Sequence, residues 1–275
     1  MTIETIKVNI GTGLKVAMIS LLAACSSEPT STTNENQSTT TAPTTSQNDN
    51  GFYDIPPPIQ QVQLLQKAGA TYDKNILNPL ENVSKYSVNN SMALNLGVYG
   101  ADLSYAAVFN QPVDVILYMN ASKKLADALS IKGDFYPKIM QRMEKSSGEK
   151  DSLLQIVSDV CRGSNESLKE NDQSHLSALV VAGSFIEAMY IATQVAKKVD
   201  EKEAIYQRIG EFKESLNNLV ALIITVHDSD ISDVLVDLKS IKAIYDETTG
   251  AKMTEAQMLK LTKQVNAIRI KITNS

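Results

Sequence analysis

The stretch "ALNLGVYGADLSYAAV", residues 93–108, decides the fold, because its apolar residues recur at helical spacing around two glycines and one carboxylate. At 100° per residue, Gly97 and Gly100 fall on a side rich in small residues, while Leu94 and Tyr105 fall on another. A glycine inside a helix costs about 0.5–1 kcal/mol relative to alanine, so two of them need a compensating contact. The sequence therefore predicts a helix whose glycines mark a close crossing with a neighbouring helix.

A related pattern stands 85 residues further on, in "ALVVAGSFIEAMYIAT", residues 178–193. In this alignment Asp102 meets Glu187, and each acid is followed three residues later by a tyrosine, Tyr105 and Tyr190. Apolar helices rich in alanine and leucine align easily by chance, whereas a repeat architecture needs sustained similarity. Chance and a duplication of helix pairs are both open at this point.

The two acids have two interpretations. A pair of carboxylates between central helices is the arrangement that general acid–base chemistry or an ion site requires. A single acid on an apolar helix is more often satisfied by a lysine, a tyrosine hydroxyl or a backbone group, in a purely structural role. We take Asp102, Tyr105, Glu187 and Tyr190 as candidate ligand or cleft residues.

Helical periodicity dominates residues 52–275 and predicts an all-α fold. One apolar stripe runs from Ile205 to Ile223, and Thr254 with Gln257 fits a capping box that opens the last helix. No Asn-Gly or Asp-Gly turn separates alternating apolar runs in this part of the sequence. We expect about eight or nine helices packed as antiparallel hairpins, in a bundle or a short helical-repeat array.

Glycines and prolines predict several helix boundaries. Gly69 is expected to end the first helix, Pro112 to open a helix, and Gly163 to close a helix that begins near Asp151. Residues 90–122 and 176–196 are long and apolar enough to resemble membrane spans. Acids in the middle of both segments favour instead the central layer of a helical domain.

The N-terminal residues have the pattern of an export signal. Two lysines precede the apolar run "VAMISLLAA" within residues 1–24, and the run closes on "LLAAC". This ending resembles the lipobox of bacterial lipoproteins, and the resemblance implies that Cys25 is lipidated and becomes the mature N-terminus. Ser26, directly after it, is similar to the sorting pattern for the outer membrane, with the periplasmic or exterior side left open.

Residues 25–51 form the predicted tether. Ser and Thr make up 13 of the 25 residues from Ser26 to Asn50, so this segment cannot bury a core. A flexible chain of this length spans about 25–30 Å, which holds a folded domain clear of a membrane surface. We therefore predict a signal peptide at 1–24, a lipidated tether at 25–51 and one α-helical domain at 52–275.

Charge and composition limit the function classes. Residues 52–275 carry 24 Lys/Arg and 27 Asp/Glu, a net charge of −3, which provides no electrostatic footprint for nucleic acid. Cys161 is expected to be a small buried hydrophobe, the acids after His227 to begin a helix, and Arg269 to lie on a solvated surface with nearby lysines. We identify no metal or cofactor motif.

A wider resemblance supports the location. The stretch "NPLENVSKYS" followed by "ALNLGVYGADLSYA" is similar to segments of uncharacterised, helix-rich envelope lipoproteins of Gram-negative bacteria. The leading hypothesis is a membrane-anchored, non-enzymatic module that binds an envelope protein or a small ligand. The alternatives are a hydrolase-like enzyme that uses Asp102 and Glu187 in an interhelical cleft, and a structural envelope scaffold.

Overall fold

Ten α-helices and no β-strand make up the part of the chain that the computed structural model describes, which is residues 55–131, 135–145, 149–200, 202–226, 231–250 and 252–275. The all-α prediction is confirmed, with ten helices in these ranges instead of eight or nine. In chain order they are α1 (Pro58–Lys67), α2 (Asn89–Val108), α3 (Pro112–Ala128), α4 (Phe135–Lys145), α5 (Lys150–Glu170), α6 (Ser174–Val195), α7 (Lys202–Gly210), α8 (Phe212–Thr225), α9 (Ser232–Asp246) and α10 (Glu255–Thr273).

The extra helix comes from the apolar stripe between Ile205 and Ile223, which the sequence predicts as a single helix. The stripe is divided at Glu211, because α7 ends at Gly210 and α8 begins at Phe212. Buried residues continue at helical spacing on both sides of this break. Periodicity alone therefore does not reveal it.

Several predicted boundaries agree with the structure and one is wrong. Gly69 follows α1 with φ at +91°, Pro112 opens α3, and Thr254 and Gln257 form the expected capping box. The predicted stop at Gly163 is wrong, since α5 continues through it to Glu170. Buried residues beyond Gly163 keep the helical spacing, so packing outweighs the low helix propensity of glycine.

The central feature of the fold is the crossing of α2 and α6, the pair with the most extensive contact. A Cβ atom added at Gly97 would overlap the carbonyl oxygen of Val180, and one added at Gly183 would overlap that of Leu94. The predicted glycine crossing is thus confirmed for Gly97. It is wrong for Gly100, because a Cβ added there would lie 3.7 Å from Cys161 Sγ, which is an ordinary contact distance. Helix α6 therefore approaches only part of the small-residue side of α2.

Both crossing helices are buried on nearly every side. In α2, 17 of 20 residues are buried, and in α6, 16 of 22. Among the described helices, α6 is the one that has the length and hydropathy of a membrane span, but 83% of its most apolar window is buried inside the domain. Its surface is covered by α1, α2, α5 and α10, which is the situation of a core helix.

Tyrosine hydroxyls hold the irregular connection between α1 and α2, residues 70–88, which we call the covering segment. Tyr105 donates a hydrogen bond to the carbonyl of Thr71 (2.8 Å), and Tyr99 donates to that of Pro79 (2.9 Å). Tyr118 of α3 donates to the carbonyl of Asn78 at 3.1 Å. Because these carbonyls gain partners from buried phenols, a segment with little regular structure can lie against the core.

We predict opposite effects of alanine at the two glycines of α2. Gly97→Ala would drive a methyl group into the α6 backbone and lower the free energy of unfolding by about 1–3 kcal/mol or more. Gly100→Ala meets no such obstacle and should raise it by about 0.5–1 kcal/mol through helix propensity. Urea unfolding followed by circular dichroism measures both, and equal effects of the two substitutions would contradict the crossing.

Candidate functional site

Asp102 and Glu187 do come together, and a third charged residue joins them. The Arg269 guanidinium of α10 donates from Nε to Glu187 Oε2 at 3.1 Å and from Nη2 to Oε1 at 3.2 Å. Asp102 lies close enough for its carboxyl group to interact with both charges. Both acids are fully buried, and the Arg269 side chain is 12% exposed. We call these three residues the charge cluster.

Arg269 is the member that the sequence analysis places wrongly, on a solvated surface. Its guanidinium carbon lies 4.4 Å from the centre of the Tyr190 ring, and Nη2 lies 3.5 Å from the carbonyl oxygen of Ile76. The signal for its burial is its position, because it stands four residues after Val265 and three before Ile272 on the apolar stripe of α10. A cation at such a position is a candidate partner for a buried acid.

The environment of Asp102 favours its protonated form. Oδ2 accepts a hydrogen bond from the backbone N–H of Asn78 at 3.0 Å, and the carboxyl group also hydrogen-bonds with the carboxyl group of Glu187. Burial raises the pKa of Asp102 well above its usual range, and the negative charge of Glu187 raises it further. Burial also raises the pKa of Glu187, but the guanidinium opposes that rise.

A neutral cluster follows from these contacts. Two ionised carboxylates beside one guanidinium would bury a net negative charge, which is very costly away from water. If Asp102 holds a proton, the remaining pair of Glu187 and Arg269 is balanced and makes two charge-assisted hydrogen bonds. The carboxyl groups of Asp102 and Glu187 thus resemble a pair of acids that shares one proton. Neither carboxyl group is exposed to solvent.

The two candidate tyrosines have separate roles. Tyr190 provides the ring face on which Arg269 rests, so it belongs to the charge cluster. Tyr105 points to the covering segment, where its hydroxyl also accepts a hydrogen bond from the backbone N–H of Asp73 at 3.0 Å. None of the four predicted site residues lines the cavity described next.

A cavity of about 360 Å³ lies mainly between α1, α2, α5 and α6, and Ser122 of α3 also contributes to its lining. Its buried apolar lining is supplied by Leu96, Val160, Val180 and Phe185. Gly100 adds no side chain, and this leaves the cavity open on the side of α2. Exposed residues among the lining lie at the start of α1 and on α5, which places the mouth between these elements.

Four polar side chains of the cavity have atoms without hydrogen-bond partners among the described residues: Gln61 Oε1, Ser122 Oγ, Ser164 Oγ and Asn165 Oδ1. Gln61 is 2% exposed and Ser122 is 1% exposed. Buried polar atoms normally have partners, so such atoms beside a cavity indicate a place for a polar ligand group or water. None of the four can be found from the sequence, because a glutamine, two serines and an asparagine in helices form no motif.

Cys161 also lines the cavity, on α5. Burial raises the pKa of its thiol to about 11, so the reactive thiolate is scarce at neutral pH. Cys161 packs against the core but is only partly buried, so the prediction of a small buried hydrophobe is confirmed only in part. Within the described ranges, no group of three His, Cys, Asp or Glu residues has the arrangement of a metal site.

The predicted signal peptide, Cys25, the tether and the acidic run at 227–230 lie outside the described residues. Comparison with known proteins adds no assignment, since the chain matches no family model, no curated protein and no solved structure. The site must therefore be interpreted from its own geometry.

The protonation of Asp102 predicts a pH dependence of stability. The folded state holds the Asp102 proton more tightly than the unfolded chain, in which the pKa of Asp102 is near 3.8. The stabilisation of the folded state by this proton is therefore complete below about pH 4, and it is lost as the pH rises towards the pKa of the folded state. Asp102→Asn keeps the shape without titrating. The free energy of unfolding of this variant, relative to that of the wild type, should increase by up to about 1.4 kcal/mol for each pH unit above pH 4. Parallel stability curves from pH 4 to 8 would contradict a raised pKa.

The Glu187–Arg269 pair predicts strong coupling. Arg269→Met leaves a buried carboxylate without its cation and should cost about 3–5 kcal/mol of unfolding free energy. The double variant Arg269→Met with Glu187→Leu removes both charges and should be more stable than Arg269→Met alone. Chemical denaturation of the two single variants and the double variant measures this. Additive losses would show that the two side chains do not depend on each other.

Proposed function

We propose that this protein is a lipid-anchored, non-enzymatic binding module of the bacterial envelope, and that it takes a small ligand into the cavity between α1, α2, α5 and α6. The observation that carries the proposal is the combination of an apolar cavity with buried polar atoms that lack partners. Small-molecule sites have this composition, with volumes of about 300–1,000 Å³. Most of the lining residues lie on α1, α2, α5 and α6, Ser122 lies on α3, and these helices pack against α2 or α6.

The anchor is part of the proposal. Cys25 in the lipobox-like sequence would carry the acyl chains, and the Ser/Thr-rich tether would connect them to the domain. Residues Ile55 to Pro58, which line the cavity, are the first described residues after this tether. Ser26 favours the outer membrane as the location.

Binding is favoured over the hydrolase alternative by the state of the charge cluster. A catalytic carboxyl group must reach its substrate, but Asp102 and Glu187 are both 0% exposed and engaged with Asn78 and Arg269. The alternative of a structural scaffold shares the fold and the anchor. It differs in having no ligand, so occupancy of the cavity distinguishes the two.

We also propose that the helix pairs around α2 and α6 derive from a duplication within an array of antiparallel hairpins. The support is positional, because Asp102 and Glu187, which align at an interval of 85 residues, meet in one cluster. The crossing glycines, Gly97 and Gly183, are 86 residues apart, so the relation does not hold residue by residue. Coincidence is the competing explanation.

The anchor is tested by metabolic labelling with a palmitate analogue. The wild-type chain should carry the label and stay with washed membranes, whereas Cys25→Ser should carry no label, because it lacks the thiol that is acylated. A wild-type chain without label, or a labelled Cys25→Ser protein, would contradict the lipid anchor at Cys25.

The cavity is tested with the neutral fluorescent probe N-phenyl-1-naphthylamine. The wild-type chain should increase its fluorescence saturably, and Gly100→Leu, which places a side chain into the cavity, should abolish the increase. Gly100→Ala is the matched control, since its methyl group is in ordinary contact with Cys161. Equal signals from the leucine and alanine variants would place the probe elsewhere.

A further inference from the structure

The polar atoms of the cavity restrict the chemistry of its ligand. The Gln61 side chain donates from Nε2 to the carbonyl oxygen of Pro56 at 3.1 Å. That carbonyl can only accept, so the amide orientation is determined and Oε1 is the atom left over. A carboxamide oxygen only accepts hydrogen bonds. The ligand atom that pairs with Gln61 must therefore be a donor.

The other unpartnered polar atoms of the cavity can also pair with a hydrogen-bond donor of the ligand. Asn165 Oδ1 is a second carboxamide oxygen without a donor, and the hydroxyls of Ser122 and Ser164 can donate or accept. Two of the four unpartnered atoms thus require a donor, and the two hydroxyls tolerate one. A carboxylate or phosphate group has only acceptor oxygens when ionised, so it would leave these atoms unpaired.

The positive charges at the rim do not supply an anion site. Arg162 is paired with Asp159 at 3.1 Å and with Glu166 at 3.4 Å. Lys169 has Glu166 as its charged neighbour. An anionic ligand would have to compete with these carboxylates for the two cations.

The remaining lining is apolar. Leu96 and Phe185 are 4% and 1% exposed, and both belong to the buried core of the domain. Contact with such side chains favours a hydrocarbon or ring body, because burial of apolar area is the main source of affinity in small-molecule sites. A purely apolar ligand would leave Gln61 Oε1 without a partner, which costs affinity.

We propose that the cavity binds a neutral amphiphile: a small molecule with an apolar body and a hydroxyl or amide N–H group that donates a hydrogen bond to Gln61 Oε1. This inference rests on the proposed function, since it specifies the ligand of that cavity. Fatty acids and phosphorylated compounds are excluded from the class.

Three probes of nearly equal size separate the alternatives: octan-1-ol, its isomer methyl heptyl ether and octanoate. The ether accepts hydrogen bonds but cannot donate one, and octanoate adds a negative charge. Calorimetric titration uses the full chain with Cys25→Ser, so that acyl chains do not compete. We expect the alcohol to bind about threefold to tenfold tighter than the ether, the effect of one neutral hydrogen bond, and octanoate to bind weakest.

A variant identifies the accepting atom. Gln61→Met removes the carboxamide at similar size, and it should reduce the preference for the alcohol to less than twofold while ether binding is maintained. Circular dichroism confirms that the variant folds, and the comparison of alcohol with ether in the wild-type protein requires no substitution. A wild-type protein that binds ether and alcohol equally, or octanoate more tightly, overturns the ligand class alone. If none of the three probes binds, the proposed function fails with it.

Discussion

The close approach of α2 and α6 is the constraint on which the rest of the structure depends. Glycine at positions 97 and 183 lets the two backbones touch, where any side chain would overlap a carbonyl oxygen. Because the helices are in contact here, the next turns carry Asp102 and Glu187 into one small volume. Gly100, one turn from the crossing, faces the space that α5 leaves open. One crossing therefore determines both the sealed cluster and the open cavity.

The charge cluster connects parts of the chain that are distant in sequence. Asp102 accepts a hydrogen bond from the backbone N–H of Asn78 in the covering segment, and Glu187 accepts hydrogen bonds from Arg269 of α10. Arg269 also lies near the carbonyl oxygen of Ile76. Such buried ionic contacts are expensive, so their value lies in selecting which elements meet. A misplaced α10 would leave two buried carboxyl groups without a cation. The hydrogen bonds from tyrosine hydroxyls of α2 and α3 to the covering segment also select which elements meet, since each buried phenol needs its own carbonyl.

Local chemistry explains which features could be predicted from the sequence. The all-α class, the capping box at Thr254 and the boundary at Pro112 depend on spacing and on residues with a fixed local role. The break at Glu211 and the passage of α5 through Gly163 depend on packing between helices, which a single sequence does not display. The sequence does not determine whether Asp102 and Glu187 meet, and it predicts Arg269 wrongly on the surface. Arg269 stands 82 residues after Glu187, so no local pattern connects the acid with its partner. The cavity residues Gln61 and Ser122 are ordinary polar residues until their neighbours are known.

A sealed charge cluster beside an open, mostly apolar cavity separates what stabilises this domain from what it binds. Both depend on the contact of α2 and α6 at their glycines. The most direct test is a nuclear Overhauser measurement on the isotope-labelled protein, directed at the Hα protons of Gly183 and Leu94. The account predicts a strong cross-peak between them, because a Cβ at Gly183 would lie 3.1 Å from Leu94 Cα. Assigned resonances for both residues without a cross-peak would contradict it, since the two backbones would then be apart.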